Sequence, residues 1–271
     1  MLRSLFVLGL SLFLLAGTSL HAAEPESAYD RVMRTNTLRC AYVTTAPYAY
    51  KDLQTGEMAG LSIEIANEVA KALHLTLEWA AEVGFADFAE GFRTGRYDAF
   101  CGALTITPPR ARVAAFTSPL FYVPYRVYGR KDEQRFHALS DINQPSVTVA
   151  TVDGEAFQFV TRLYLPHAHE YNLPNMTPPG QLFVDVADKK ADAIIHDPLL
   201  MAMYAQSNGD KIKPLLPGVL ESRPHGFAVG PKDLALLHVL DTAILTLQTT
   251  GVIDSILKKY EKGTPVLGRV R

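Results

Sequence analysis

Short apolar runs alternate with helically spaced apolar residues along most of the chain. Residues 38–43, apolar but for Arg39, have the pattern of a buried strand. A loop rich in Thr, Pro and Tyr follows at 44–50, with a turn at Thr55-Gly56. Ile63, Ala66, Val69, Ala70 and Leu73 then share one helical face, and Ser62 is the expected cap. Residues 75–81 read as a strand. Phe85, Phe88 and Phe92 lie three and four apart, which predicts a short helix stopped by Gly95. Residues 98–105 predict a further strand.

The second half repeats the logic. Strands are predicted at 146–151, 192–196 and 225–229. Helices are predicted at 154–165, stopped by Pro166, at 181–190, and at 199–207 with Pro198 in the first turn. Leu234, Leu237, Leu240, Ile244 and Leu247 make an apolar helical face that ends at Gly251, and 252–260 is a last short helix. Strands alternating with helices imply parallel βαβ units with ligand loops at the carboxyl ends of strands. The expected architecture is α/β with two lobes, each a mostly parallel sheet flanked by helices. Residues 24–122 and 223–271 would form lobe 1 and residues 123–222 lobe 2. Pro-bearing stretches at 118–125 and 217–224 would be the two hinge crossings beside a ligand cleft.

The first residues break this pattern. Arg3 precedes an apolar run over 5–16, and small residues lead to Ala22 and Ala23. That order is a secretory signal peptide over residues 1–23, too short in its apolar part to span a membrane comfortably. The expected location is the periplasm. Export permits a disulfide, and the chain has two cysteines, Cys40 and Cys101, both in strand-like runs. Buried thiols and a bridge both fit the sequence, because geometry decides. The net charge of -2 and the lack of a Lys/Arg cluster argue against a nucleic-acid partner. The eight histidines show no metal-ligand spacing, and no phosphate loop or nucleophile elbow appears, so no metal or cofactor is expected.

Candidate chemistry concentrates after the strand at 98–105. Gly102 and Ala103 leave backbone groups approachable, Thr105 and Thr107 offer hydroxyls, and Arg110 offers a planar fork that matches a carboxylate. A surface arginine at a helix start is the alternative. The stretch Gly95 to Ala99, then Thr105-Ile106-Thr107-Pro108-Pro109-Arg110, then Phe116-Thr117-Ser118-Pro119, resembles the family 3 extracellular solute-binding proteins, the polar amino-acid receptors of ABC transporters. Leu38 to Ala41 with Ala46-Pro47-Tyr48, Gly60 to Ile65, Lys190 to Asp197, Gly226 to Val229 and Gly251 to Asp254 resemble that family's other elements, in the right order.

The resemblance implies a type II periplasmic binding protein fold, a small ligand (an amino acid), an ABC transporter permease as partner, and a monomer. It implies that Arg110 clamps the ligand carboxylate and that Thr105 and the backbone near Ala103 add hydrogen bonds. Asp197 would take the α-ammonium from the opposite lobe, with helix N-capping before Pro198 as its alternative role. Phe85 would stack on the ligand, or else sit in the core. Thr45, in the loop before Pro47, and Gly154, before helix amides that can hold an anion, complete the expected site.

Two departures bear on the ligand. Val43 stands where receptors for basic amino acids tend to carry an acid, which disfavours a Lys- or Arg-like ligand. The second-lobe loop reads Val152-Asp153-Gly154-Glu155, so it brings negative charge near the expected carboxylate. A cyclohexadienyl dehydratase-like enzyme on the same fold is the runner-up, with Glu82, Asp153, Glu155 or Asp197 as general acid. A freestanding sensory module is a third reading.

N-terminal sequencing of the periplasmic fraction is expected to begin just after Ala22 or Ala23. A full-length cytoplasmic product is the contrary result.

Overall fold

The computed structural model describes residues 26–262 and 266–270. The signal-peptide segment lies outside the described residues.

The chain opens with α1 (Ala28–Thr35) and β1 (Thr37–Tyr42), then a small hairpin of β2 (Tyr50–Lys51) and β3 (Met58–Ala59). Next come α2 (Leu61–Ala72), β4 (Thr76–Glu82), α3 (Glu90–Thr94), β5 (Ala99–Thr105), α4 (Pro108–Ala111) and β6 (Ala115–Phe116). The long β7 (Phe121–Arg130) leads to α5 (Leu139–Ile142), β8 (Thr148–Val152), α6 (Ala156–Tyr164), β9 (His169–Leu173), α7 (Gly180–Ala187), β10 (Ala193–His196), α8 (Pro198–Asn208) and β11 (Ile212–Pro214). The chain returns through β12 (Glu221–Val229) to α9 (Leu234–Thr249) and α10 (Val252–Glu261).

The strand order β4-β1-β5-β12-β7-β10-β8-β9 divides into two halves joined at β12 and β7. Lobe 1 pairs β1 in parallel with β4 and β5. Lobe 2 pairs β8 in parallel with β9 and β10. Between them, residues 121–125 of β7 run antiparallel to residues 221–225 of β12. Beyond that ladder β7 pairs with β10 and β11, whereas β12 pairs with β5 and β6. The two crossings are therefore strands rather than loops, with Pro124 opposite Ser222.

Local chemistry explains several boundaries. Helix α2 starts two residues earlier than expected, with Gly60 as its cap and Ser62 buried inside the first turn. Gly60 has φ 124°, and a Cβ there would lie 2.3 Å from the Tyr48 carbonyl oxygen. Phe85 and Phe88 fall in a turn ahead of α3 rather than within it, and Gly95 ends α3 in the left-handed conformation as expected. Asp197 caps α8 by accepting from the Leu200 amide at 2.9 Å.

One apolar cluster threads both lobes through the crossing strand, by way of Phe121, Val123, Tyr125 and Val127. The buried Asp98 ties α1 and β1 to the start of β5. It accepts from the Arg39 amide at 2.8 Å and pairs with the Arg31 and Arg39 guanidinium groups. Cys40 on β1 and Cys101 on β5 form a disulfide across neighbouring strands, with Cα atoms 5.6 Å apart.

That bridge closes a loop with a sequence separation of 61 residues. Reduction is expected to lower unfolding free energy by about 2–4 kcal/mol, read as a lower urea midpoint with an unchanged ligand-free fold. Thiol titration of the unfolded, unreduced protein should find no free cysteine.

Candidate functional site

The carboxyl ends of the strands of both lobes face one cavity of about 50 Å³. Lobe 1 supplies Val43, Thr45 and Tyr48 from the loop after β1, and Phe85 from the loop after β4. It also supplies Gly102, Ala103 and Thr105 from β5, and Arg110 from α4. Lobe 2 supplies Glu155, Ala156 and Phe157 from the start of α6, and His196 and Asp197 from the end of β10.

Strand β5 reaches the cavity through a bulge. The ladder with β12 runs from Thr105 and Leu104 directly to Phe100, skipping three residues of β5 against one of β12. Ala103 sits in the bulge at φ 58°, a conformation that L-residues adopt at some cost. The displaced backbone faces the cavity, which accounts for Gly102 and Ala103 on its wall.

Arg110 is buried, and its guanidinium donates to two carbonyls, Thr105 O and Gly154 O, each at 3.0 Å. The second of these bonds spans the cleft. Phe85 lies beneath the guanidinium, with its ring centroid 5.5 Å from Cζ. Neither carbonyl carries a full negative charge, so burial pushes the Arg110 pKa down to about 10. A buried cation held only by neutral acceptors is poised for an anion.

Asp197 lines the same cavity from the other lobe and is buried. Burial pushes its carboxyl up, but His196, the Leu200 amide and Tyr48 together outweigh burial and hold its pKa below the usual value. The cap and the cavity wall are thus two faces of one carboxylate. Oδ1 serves the helix, and Oδ2 lies 3.1 Å from His196 Nδ1.

Thr105 is part of a fixed relay. His225 Nδ1 lies 3.2 Å from the Arg223 carbonyl oxygen, which can only accept, so this nitrogen carries the proton. Nε2 then accepts from the Thr105 hydroxyl at 2.8 Å, and the Tyr125 hydroxyl donates to Thr105 at 2.9 Å. Burial pulls the His225 pKa down to about 4, which keeps the ring neutral.

Thr45 Oγ1, Glu155 Oε2 and His196 Nε2 are buried on this cavity and have no hydrogen-bond partner among the described residues. Orphaned polar atoms on one cavity are the signature of a site waiting for a polar ligand. Burial also pushes the Glu155 pKa up to about 7, against the pull of His196 and Arg110.

Six of the expected residues line the cavity together: Thr45, Phe85, Ala103, Thr105, Arg110 and Asp197. Gly154 does not line it. Its amide donates to Gln158 Oε1 at 3.2 Å and its carbonyl receives Arg110. Tyr48, Phe157, His196 and His225 were not among the expected contacts. A His directly before Asp197 was a signal for His196; His225 gave none, because it meets Thr105 only through strand pairing.

Two α/β lobes joined by two crossing strands, with a cavity between them, define the type II periplasmic binding protein fold. The chain belongs to the bacterial extracellular solute-binding proteins, family 3, whose profile matches residues 38–263. It is 27% identical over 263 residues to the cyclohexadienyl dehydratase of Pseudomonas aeruginosa, covering 92% of this chain and 91% of that one. It is 23% identical over 223 residues to the amino-acid-binding protein AabA of Dichelobacter nodosus, covering 81% and 85% respectively. The solved solute receptor for L-cysteine of Neisseria gonorrhoeae superposes with a TM-score of 0.76 at 20% identity, covering 90% of this chain and 100% of that one.

Gly154 also sets how closely the lobes meet. It has φ 76°, and a Cβ there would lie 2.5 Å from the Ala86 amide nitrogen of the opposite lobe. Gly154→Ala is expected to hold the cleft ajar, weakening ligand binding by at least tenfold, about 1.4 kcal/mol. Small-angle scattering should show ligand-driven compaction in the parent and less in the variant; equal compaction in both would contradict this.

Proposed function

We propose that this protein captures a small α-amino acid in the periplasm and delivers it, as a monomer without catalytic turnover, to an ABC transporter permease. The observation that carries the reading is that buried Arg110 and buried Asp197 line one cavity from opposite lobes. A zwitterion gives each of them its opposite charge. Thr105, Ala103, Thr45 and Phe85 would complete the contacts, and Gly154 would act through Arg110. The relatives named for amino-acid binding support the ligand class.

The lobe limits we propose are residues 24–122 with 223–271, and residues 123–222, so that closure brings Arg110 and Asp197 onto the ligand together.

A thermal-shift screen against small amino acids identifies the ligand, and calorimetric titration then tests the anchors. Arg110→Lys, which loses the two-pronged fork, and Asp197→Asn are each expected to weaken binding by about 2–5 kcal/mol, roughly thirtyfold to several thousandfold. Asn caps helices as well as Asp does, so Asp197→Asn separates the ligand role from the cap. Unchanged affinity in folded Arg110→Lys would overturn the carboxylate assignment.

A further inference from the structure

The amino-acid reading leaves one buried group in the cavity unused. Glu155 stands at the N-cap of α6, yet its side chain makes no capping bond. Its Oε2 is buried without a partner, and the residue is only 5% exposed. It shares the cavity wall with Arg110, whose Nη2 donates to the carbonyl of the preceding residue, Gly154, at 3.0 Å. The acid therefore borders the end of the cavity where the ligand carboxylate would meet the guanidinium.

We propose that Glu155 is a specificity-determining residue that enters the closed site as the neutral acid and donates its O–H to the ligand carboxylate beside Arg110, so that each ligand is captured together with one proton.

The inference rests on the amino-acid reading above, and charge counting supports it. The ionisable groups that act on Glu155 are Arg110 from α4, Tyr125 from β7, and His196 and Asp197 at the end of β10. Tyr48 and His225 complete the ionisable lining, and His225 is neutral. With a zwitterion bound, Arg110 is matched by its carboxylate and Asp197 by its ammonium. An ionised Glu155 would add an unmatched buried charge beside another carboxylate. As the acid it offers a donor instead, and a carboxylate has about four lone-pair sites, of which an arginine fork fills two. The loop acid that argues against a carboxylate ligand when read as an anion becomes, when protonated, part of its recognition.

The proton comes from solvent and joins a carboxylate oxygen of Glu155 as the cleft closes. Opening the cleft would hydrate Glu155 and relieve the burial that raises its pKa. Burial in the closed form raises its pKa to about 7. Closure is thus favoured most at low pH, and the advantage fades as pH rises through the closed-form value. Between the two values affinity should fall by about tenfold per pH unit.

The test is calorimetric titration with L-alanine, L-serine and L-cysteine at about pH 6, in phosphate and in imidazole buffers, whose ionisation enthalpies differ. The parent is expected to take up close to one proton per ligand. Glu155→Gln keeps a donor but cannot ionise; it should bind within about tenfold of the parent and take up no proton. Binding by the parent with no proton uptake overturns the inference and leaves the amino-acid reading standing. Uptake that persists in Glu155→Gln also overturns it, by assigning the proton to another group such as His196. Failure of every probe to bind the parent overturns the amino-acid reading and this inference with it. Should Glu155→Gln not fold, a parent affinity that does not change from about pH 5 to about pH 7 overturns the inference by itself.

Discussion

Strands β7 and β12 pair with each other for five residues and then part, one into each lobe. Every other feature of the molecule depends on that shared ladder. Because both crossings are hydrogen-bonded strands, the lobes cannot slide past each other without breaking the ladder. Bending and twisting of the paired strands is the motion the topology allows. The same strands carry the apolar cluster from one lobe into the other through Phe121, Val123, Tyr125 and Val127. They also supply Val123 and His225 to the cavity, so the hinge and the site share side chains.

The alternation of strands and helices was legible because each βαβ unit buries its strands on both faces, leaving mostly apolar segments such as residues 40–43 and 99–104. Strand β7 was harder to see. Pro124 reads as a breaker, and outward-facing Tyr122, Pro124 and Arg126 interrupt its apolar series. The structure admits the proline in a strand of alternating burial, with the ladder continuing on both sides of it. Strand β9 was missed for a different reason. His169, Glu170 and Asn172 give it almost no apolar signal, as befits a strand at the end of the sheet order.

The site was legible where residue chemistry speaks alone and illegible where it depends on distant pairing. An arginine after Thr-Ile-Thr-Pro-Pro and an aspartate before Pro198 each carry a local signal. The relay of Tyr125, Thr105 and His225 joins residues 20 and 120 positions apart and exists only because β5, β7 and β12 lie side by side. Glu155 was legible as an acid, but its burial was not. That burial reverses the acid's expected effect, since an exposed carboxylate repels a ligand anion and a protonated one can bind it.

A shared fold therefore leaves function to the cavity, and relatives of this chain include both binding proteins and an enzyme. What distinguishes this cavity is the cost of leaving it incompletely filled. Arg110 is held by two neutral carbonyls, and Asp197 has one oxygen committed to its helix. In the proposed reading a complete amino acid satisfies both charges at once. An amine without a carboxylate would leave Arg110 buried and unmatched, and a carboxylic acid without an amine would do the same to Asp197. An unpaired buried charge costs several kcal/mol, more than the methylene differences that shape alone can discriminate. Selectivity for the zwitterion then follows from desolvation of the two anchors, while the aromatic walls meet the ligand side chain.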